Sequence, residues 1–265
     1  MKKSLELYGF NNLTKSLSFN IYDVCYAPTD AAKQAYIDYI GGQYNAERLT
    51  GILRHLTEII GAHILNLSKQ DYKPQGASVS LLIADGPLEE ADIDPANNRG
   101  VLPPSSVCAH LDTSHVSVHT FPESHPSRAI STFRVDIDVS TCGRVSPLAA
   151  LDYLIQSFDS DIISVDFRVR GFTRDTRGKK YFLDDPIRSI QDFIAPNTLA
   201  RYRTVDVNVP EANLFHTRMR LRELNLDDYL FDLTEADLAS DERRAVREAL
   251  EREMLEIFSG RNIFE

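Results

Sequence analysis

From His63 to Val139 the chain runs through short segments in which apolar and polar residues alternate, separated by turn residues rather than by helical stretches. The segments are His63 to Leu67, Ala77 to Ala84, Val107 to Leu111, His115 to Phe121 and Thr132 to Val139. Pro74, Gly76, the polar stretch 86–106 and the run from Pro122 to Ser127 divide them. Parallel neighbours need long crossover connections, whereas strands that follow one another through turns pair head to tail. The expectation is therefore a largely antiparallel sheet.

The helical signals lie on either side of these strands. Residues 30–61 read as two helices, the second carrying Leu49, Ile52, Leu53, Leu56 and Ile60 on one face before Gly61 stops it. Ser146 followed by Pro147 reads as a helix cap and first-turn proline, with Leu148, Leu151, Leu154 and Ile155 inward, and Ile162 to Val169 as a further strand. A last helix is expected from Asp241 to Phe258, with Val246, Leu250, Met254 and Ile257 on one side and Gly260 as its stop. Helices and strands segregate instead of alternating. That pattern predicts an α+β fold, a two-layer sandwich with helices packed on one face of an antiparallel sheet. No repeat or Pro/Gly linker divides the chain, so residues 1–265 are expected to form a single domain, with the more charged part, 172–265, a C-terminal extension of the core.

A net charge of -10 argues against a nucleic-acid or anionic-membrane surface and suits a cationic or neutral ligand. No stretch approaches the roughly 20 apolar residues of a membrane span, and the start MKKSLELYGFNN is not a signal peptide, so a cytoplasmic location is expected. Three cysteines, Cys25, Cys108 and Cys142, cannot all pair in one chain and show no C-x-x-C spacing. A disulfide framework is not expected.

The stretch from Cys108 to His125 holds four of the seven histidines. One reading is a metal site built from Cys108, His110, His115, His119 and His125, in a non-enzymatic metal-binding protein. Strand alternation does put His115 and His119 on one face, but the spacing matches none of the common zinc patterns. Surface or hydrogen-bonded core histidines are the ordinary alternative.

A second reading comes from resemblance. Thr113-Ser-His-Val-Ser-Val-His-Thr-Phe-Pro-Glu123 and Asp138-Val-Ser-Thr-Cys-Gly143 resemble the processing-site and catalytic-cysteine segments of bacterial S-adenosylmethionine decarboxylases, and Pro74-Gln-Gly-Ala-Ser78 resembles a third segment of that family. Gly9 to Phe19, Arg168 to Arg174 and Asn213 to Thr217 extend the similarity to the longer bacterial form.

The resemblance implies an autocatalytic break between Thr113 and Ser114, giving a β chain 1–113 and an α chain 114–265. Ser114 becomes a covalent pyruvoyl group, whose keto carbon forms a Schiff base with the substrate amine and serves as electron sink when carbon dioxide leaves. His119 matches the residue that removes the Cα proton during processing, Ser78 a serine that assists cleavage, and Cys142 the acid that protonates the substrate carbon. The family often has glutamate or lysine where this chain has Thr113; attack on a backbone carbonyl predicts slower or unchanged cleavage there. Further implications are magnesium as an activator, with no motif here that locates it, and S-adenosylmethionine as substrate. The processed chains are expected to assemble as a dimer or tetramer of αβ pairs, a dimer stacking as αββα. Ornithine or arginine decarboxylation would need the same Ser114, His119 and Cys142. Phe10 is a candidate for stacking on adenine, although core packing is the commoner fate of a phenylalanine.

Overall fold

The computed structural model describes residues 5–8, 11–84, 114–158 and 160–263. The expected strand over Val107 to Leu111 lies outside them, as do Phe10, Cys108, His110 and Thr113. The central element is an eight-stranded sheet in the order β2-β3-β4-β5-β1-β6-β10-β9, with every neighbouring pair antiparallel. Its strands are β1 (Leu13–Tyr26), β2 (His63–Asp71), β3 (Ala77–Ala84), β4 (Ser114–Ser124), β5 (Ile130–Cys142), β6 (Ile162–Gly171), β9 (Tyr202–Asp206) and β10 (Leu214–Leu221). A two-stranded hairpin, β7 (Thr173–Arg174) with β8 (Lys180–Tyr181), stands apart.

One face of the sheet is covered by α1 (Asp30–Gln43), α2 (Ala46–Ile59) and α3 (Leu151–Phe158). Thr29 and Asn45 each accept a main-chain N–H with the side chain and so start the first two helices. Leu49, Leu53 and Leu56 of α2 are fully buried against Leu81, Val116, Ile137 and Leu17 in one continuous core. The α+β sandwich read from the periodicity is the fold observed.

Several boundaries differ from the sequence reading. β2 continues four residues past Leu67 because Ser68 to Asp71, polar and exposed, still pair with β3 through their main chain along a sheet edge. Ser146 makes no capping hydrogen bond; Pro147–Ala150 form a tight 3-10 turn whose Ala149 N–H donates to the Ser146 carbonyl, and α3 starts only after it. β9 and β10, unassigned from sequence, add to the sheet beyond β6.

The last helix, α5 (Ser240–Ser259, after the short α4, Pro196–Arg201), packs elsewhere. Its Val246, Leu250 and Met254 join a second cluster with Val24 and Ile162, beside which Tyr22 and Ile130 pack. Tyr22 and Val24 share the strand parity of Ser16, Ser18 and Asn20, so α5 covers one end of the other face and leaves the rest of it to polar side chains. Among the described residues no helix is long and apolar enough to cross a membrane.

Leu53→Ala tests the helix layer. Leu53 is fully buried in the main core, so truncation should lower the unfolding free energy by about 3 kcal/mol, within the usual range for a buried leucine. A shift in denaturation below about 1 kcal/mol would mean that α2 is not packed on the sheet as described.

Candidate active site

The polar face is built by alternation. Ser78 and Ser80 of β3, His115, Ser117 and His119 of β4, Asp136, Asp138, Ser140 and Cys142 of β5, and Ser16, Ser18 and Asn20 of β1 all point away from the helices. Register then sets the rows. Ser78 lies opposite His119, His119 opposite Asp136 and Asp136 opposite Asn20.

At this end of β4 the Ser78 hydroxyl meets the Tyr72 hydroxyl at 2.8 Å. The turn before β3 is held against β4 by the Gln75 side chain donating to the Pro122 carbonyl at 2.6 Å and by the Ala77 N–H donating to Thr120 Oγ1 at 2.8 Å. Gly76 has φ +92°, and a Cβ there would lie 2.7 Å from the Thr120 carbonyl oxygen, so only glycine lets the turn sit this close. Arg134 pairs with Asp136 at 2.9 Å and lies 4.3 Å over the Phe121 ring. Burial nevertheless raises the Asp136 carboxyl above its ordinary range, outweighing Arg134. Asp136 and Tyr72, which the sequence reading did not single out, therefore flank His119 and Ser78. Only register, which no local window contains, makes them neighbours.

The other end of β4 holds the other pair. The Ser114 hydroxyl accepts the Cys142 N–H at 3.0 Å, and Ser114 is 1% exposed. Cys142 ends β5, followed by Gly143 with φ +67°, whose N–H donates to the Leu13 carbonyl at 3.1 Å. The half-buried Cys142 contrasts with Cys25, which is buried and whose thiol burial pushes far up, out of the range of acid–base work.

Four of the residues singled out from the sequence thus form two couples, Ser78 with His119 and Ser114 with Cys142. The couples do not meet. Ladder pairing of β4 with β5 runs without a register break from His115 to Ser124. Five residues of extended strand separate Ser114 from His119 by about 16 Å, at about 3.3 Å per residue. An odd separation also puts the two side chains on opposite faces. His115 and His119, four residues apart, stand roughly 13 Å from one another on the same count, too far to share one ion. Among the described residues no three His, Cys, Asp or Glu side chains converge in the manner of a metal site.

Comparison with known proteins places this geometry in context. A family model described as S-adenosylmethionine decarboxylase matches residues 34–171. The S-adenosylmethionine decarboxylase proenzyme of Halorhodospira halophila is 59% identical over 261 residues, covering 98% of this chain and 96% of its own. That of Alkaliphilus oremlandii is 58% identical over 267 residues, covering 100% and 99%. Among solved structures, the adenosylmethionine decarboxylase of Aquifex aeolicus aligns with a TM-score of 0.32 at 17% identity over 60% of this chain and 90% of that one, too loose a match to bear on the fold.

Proposed function

The chain belongs to the S-adenosylmethionine decarboxylase family, and we propose that it is a precursor that cuts itself between Thr113 and Ser114 and then converts S-adenosylmethionine to its decarboxylated form, the aminopropyl donor for spermidine. The observation that carries this reading is the contact between Ser114 and Cys142, residues far apart in sequence that the β4–β5 register brings within one hydrogen bond.

In processing, the Ser114 hydroxyl attacks the Thr113 carbonyl and the peptide bond becomes an ester. A base takes the Cα proton of residue 114, the Cβ–Oγ bond breaks, and Thr113 leaves as a carboxylate. The dehydroalanine left behind tautomerises, and water releases ammonia to give the ketone. An imidazole nitrogen can accept this proton, and His119 is the residue that the resemblance assigns to the role. The surroundings fit a ketone at residue 114: its reactive carbon derives from the Cα, at the first residue of β4, and the Cys142 N–H is directed at that same residue. Once formed, the pyruvoyl group supplies the electron sink for loss of carbon dioxide. The Cys142 thiol then delivers a proton to the substrate carbon. Ornithine or arginine would use the same electrophile, but both relatives are named for S-adenosylmethionine. A cytoplasmic location suits a biosynthetic activity of this kind.

Separation of the two couples supports a shared site. Proton transfer needs about 3 Å, and β4 holds His119 roughly 16 Å from Ser114 of its own chain. A twofold pair stacked through the polar faces, giving an αββα assembly, sets Ser78 and His119 of one protomer against Cys142 and the main chain of residue 114 of the other, where the Cα proton is removed, and makes two equivalent sites. The test is co-expression of a Ser114→Ala chain with a His119→Ala chain. Neither should cleave alone. Mixed dimers contain one site with both residues, so part of the His119→Ala chain should be cut. If heterodimers form and no chain is cleaved, His119 acts within its own subunit and the shared site is wrong.

A further inference from the structure

The carbonyl of Gly143, the residue after Cys142, accepts two hydrogen bonds from side chains of the opposite segment: Lys15 Nζ at 3.1 Å and Asn11 Nδ2 at 3.0 Å. The same two groups converge on one oxygen of Asp184, with Lys15 Nζ at 2.6 Å and Asn11 Nδ2 at 3.0 Å from Oδ2. Lys15 is 3% exposed. A lysine ammonium is among the groups least often buried, and it stays charged at this depth only where acceptors replace its water. Here those acceptors are an acid from a distant segment and the turn that follows Cys142.

Asp184 is itself held in place. Leu183 and Ile187, on either side of it, pack against the main core. Asn11 completes the cluster by accepting the Leu13 N–H with Oδ1 at 3.3 Å, and the Leu13 carbonyl in turn accepts the Gly143 N–H. With the Cys142 N–H on Ser114, the peptide groups on both sides of Cys142 are tied to other elements. A residue at the end of a strand, followed by a glycine at positive φ, would otherwise sit on the least constrained part of β5.

We propose that Lys15, Asp184 and Asn11 are positioning residues for the Cys142 thiol, an anchor through which the segment beyond residue 171 holds the turn that carries the proton donor. The inference rests on the reading of Cys142 as that donor. Its physical basis is geometric. The thiol must reach one carbon of the substrate and not its neighbour, and an error of about 1 Å in placement can cost roughly a hundredfold in rate.

Asp184→Asn, which keeps the shape and removes the charge, and Lys15→Met are tested in two settings. In an uncut Ser114→Ala chain, alkylation of Cys142 by iodoacetamide is followed by peptide mass, which reads Cys25 and Cys108 separately. Release of the turn should raise the Cys142 rate about fivefold or more, whereas Leu53→Ala, which weakens the fold elsewhere, should leave it within about twofold. In the otherwise unmodified chain, cleavage should persist and kcat should fall by about tenfold or more, with KM changed by less than about threefold. Asn11→Ala leaves the ion pair in place and should shift the alkylation rate the same way by less; it decides the matter if Lys15→Met does not fold. Folded Asp184→Asn protein whose Cys142 is alkylated at the parent rate would overturn the proposal. If instead the unmodified chain neither cleaves nor acts on S-adenosylmethionine, the functional reading fails, while the alkylation comparison still reports on the anchor.

Discussion

Ser114→Ala is expected to leave the 265-residue chain whole and without decarboxylase activity. The hydroxyl is the only group at this position that can convert the peptide bond to an ester, and without the ketone no side chain can delocalise the electron pair released with carbon dioxide. The substitution also takes from the Cys142 N–H the acceptor it has at 3.0 Å, in a position 1% exposed. Loss of one such partner costs about 1–3 kcal/mol, too little to unfold a core of this size. Intact mass under denaturing conditions separates the outcomes. The unmodified chain should give fragments 1–113 and 114–265, the second lacking an N-terminal amine and reacting with hydrazine, while the variant should give one mass and a cooperative melt. An unmodified, folded chain recovered only at full length and free of ketone would sink the self-cleaving reading; cleavage of the variant would move the break to another residue.

Cys142→Ala should do the reverse: cleave, yet turn over poorly. The contact between residue 142 and Ser114 is made by the main-chain N–H, which alanine keeps, so the geometry around the processing site survives. What is lost is the thiol, half-buried on the polar face. A positioned acid typically contributes about 10²- to 10⁴-fold, and kcat should fall by a factor in that range. Protonation at the wrong carbon should also convert the N-terminal residue of the 114–265 fragment to alanine, with the substrate leaving as an aldehyde after hydrolysis. Mass spectrometry of that fragment after a fixed number of turnovers reads this directly. Full turnover by the variant would make Cys142 structural and send the search for a donor to other side chains of the polar face.

Local pattern alone determined the elements that carry the candidate site. Alternation over His115 to Phe121 and Thr132 to Val139 reports which side of each strand meets water, and the stripe from Leu49 to Ile60 reports the buried side of a helix; both are properties of a few consecutive residues. Ser78, Ser114, His119 and Cys142 were singled out differently, through the resemblance of three short blocks to segments of the family and not through periodicity.

Their arrangement was not legible. That Ser114 meets Cys142 depends on the register of β4 against β5, fixed by the sum of many main-chain pairings and side-chain contacts along both strands, and that His119 pairs across to Ser78 depends in the same way on β3. Lys15 reads in sequence as one polar residue of an alternating strand, yet its parity with Leu13 and Leu17 turns it inward, and only the approach of Asp184 from far along the chain gives the buried ammonium a partner. In the same way β10 is held by the edge that β6 presents and β9 by β10 in turn, and α5 by the apolar end of a face that is otherwise polar. Contacts between distant segments are decided by the whole packed chain, because each depends on where every other element has already placed its surface.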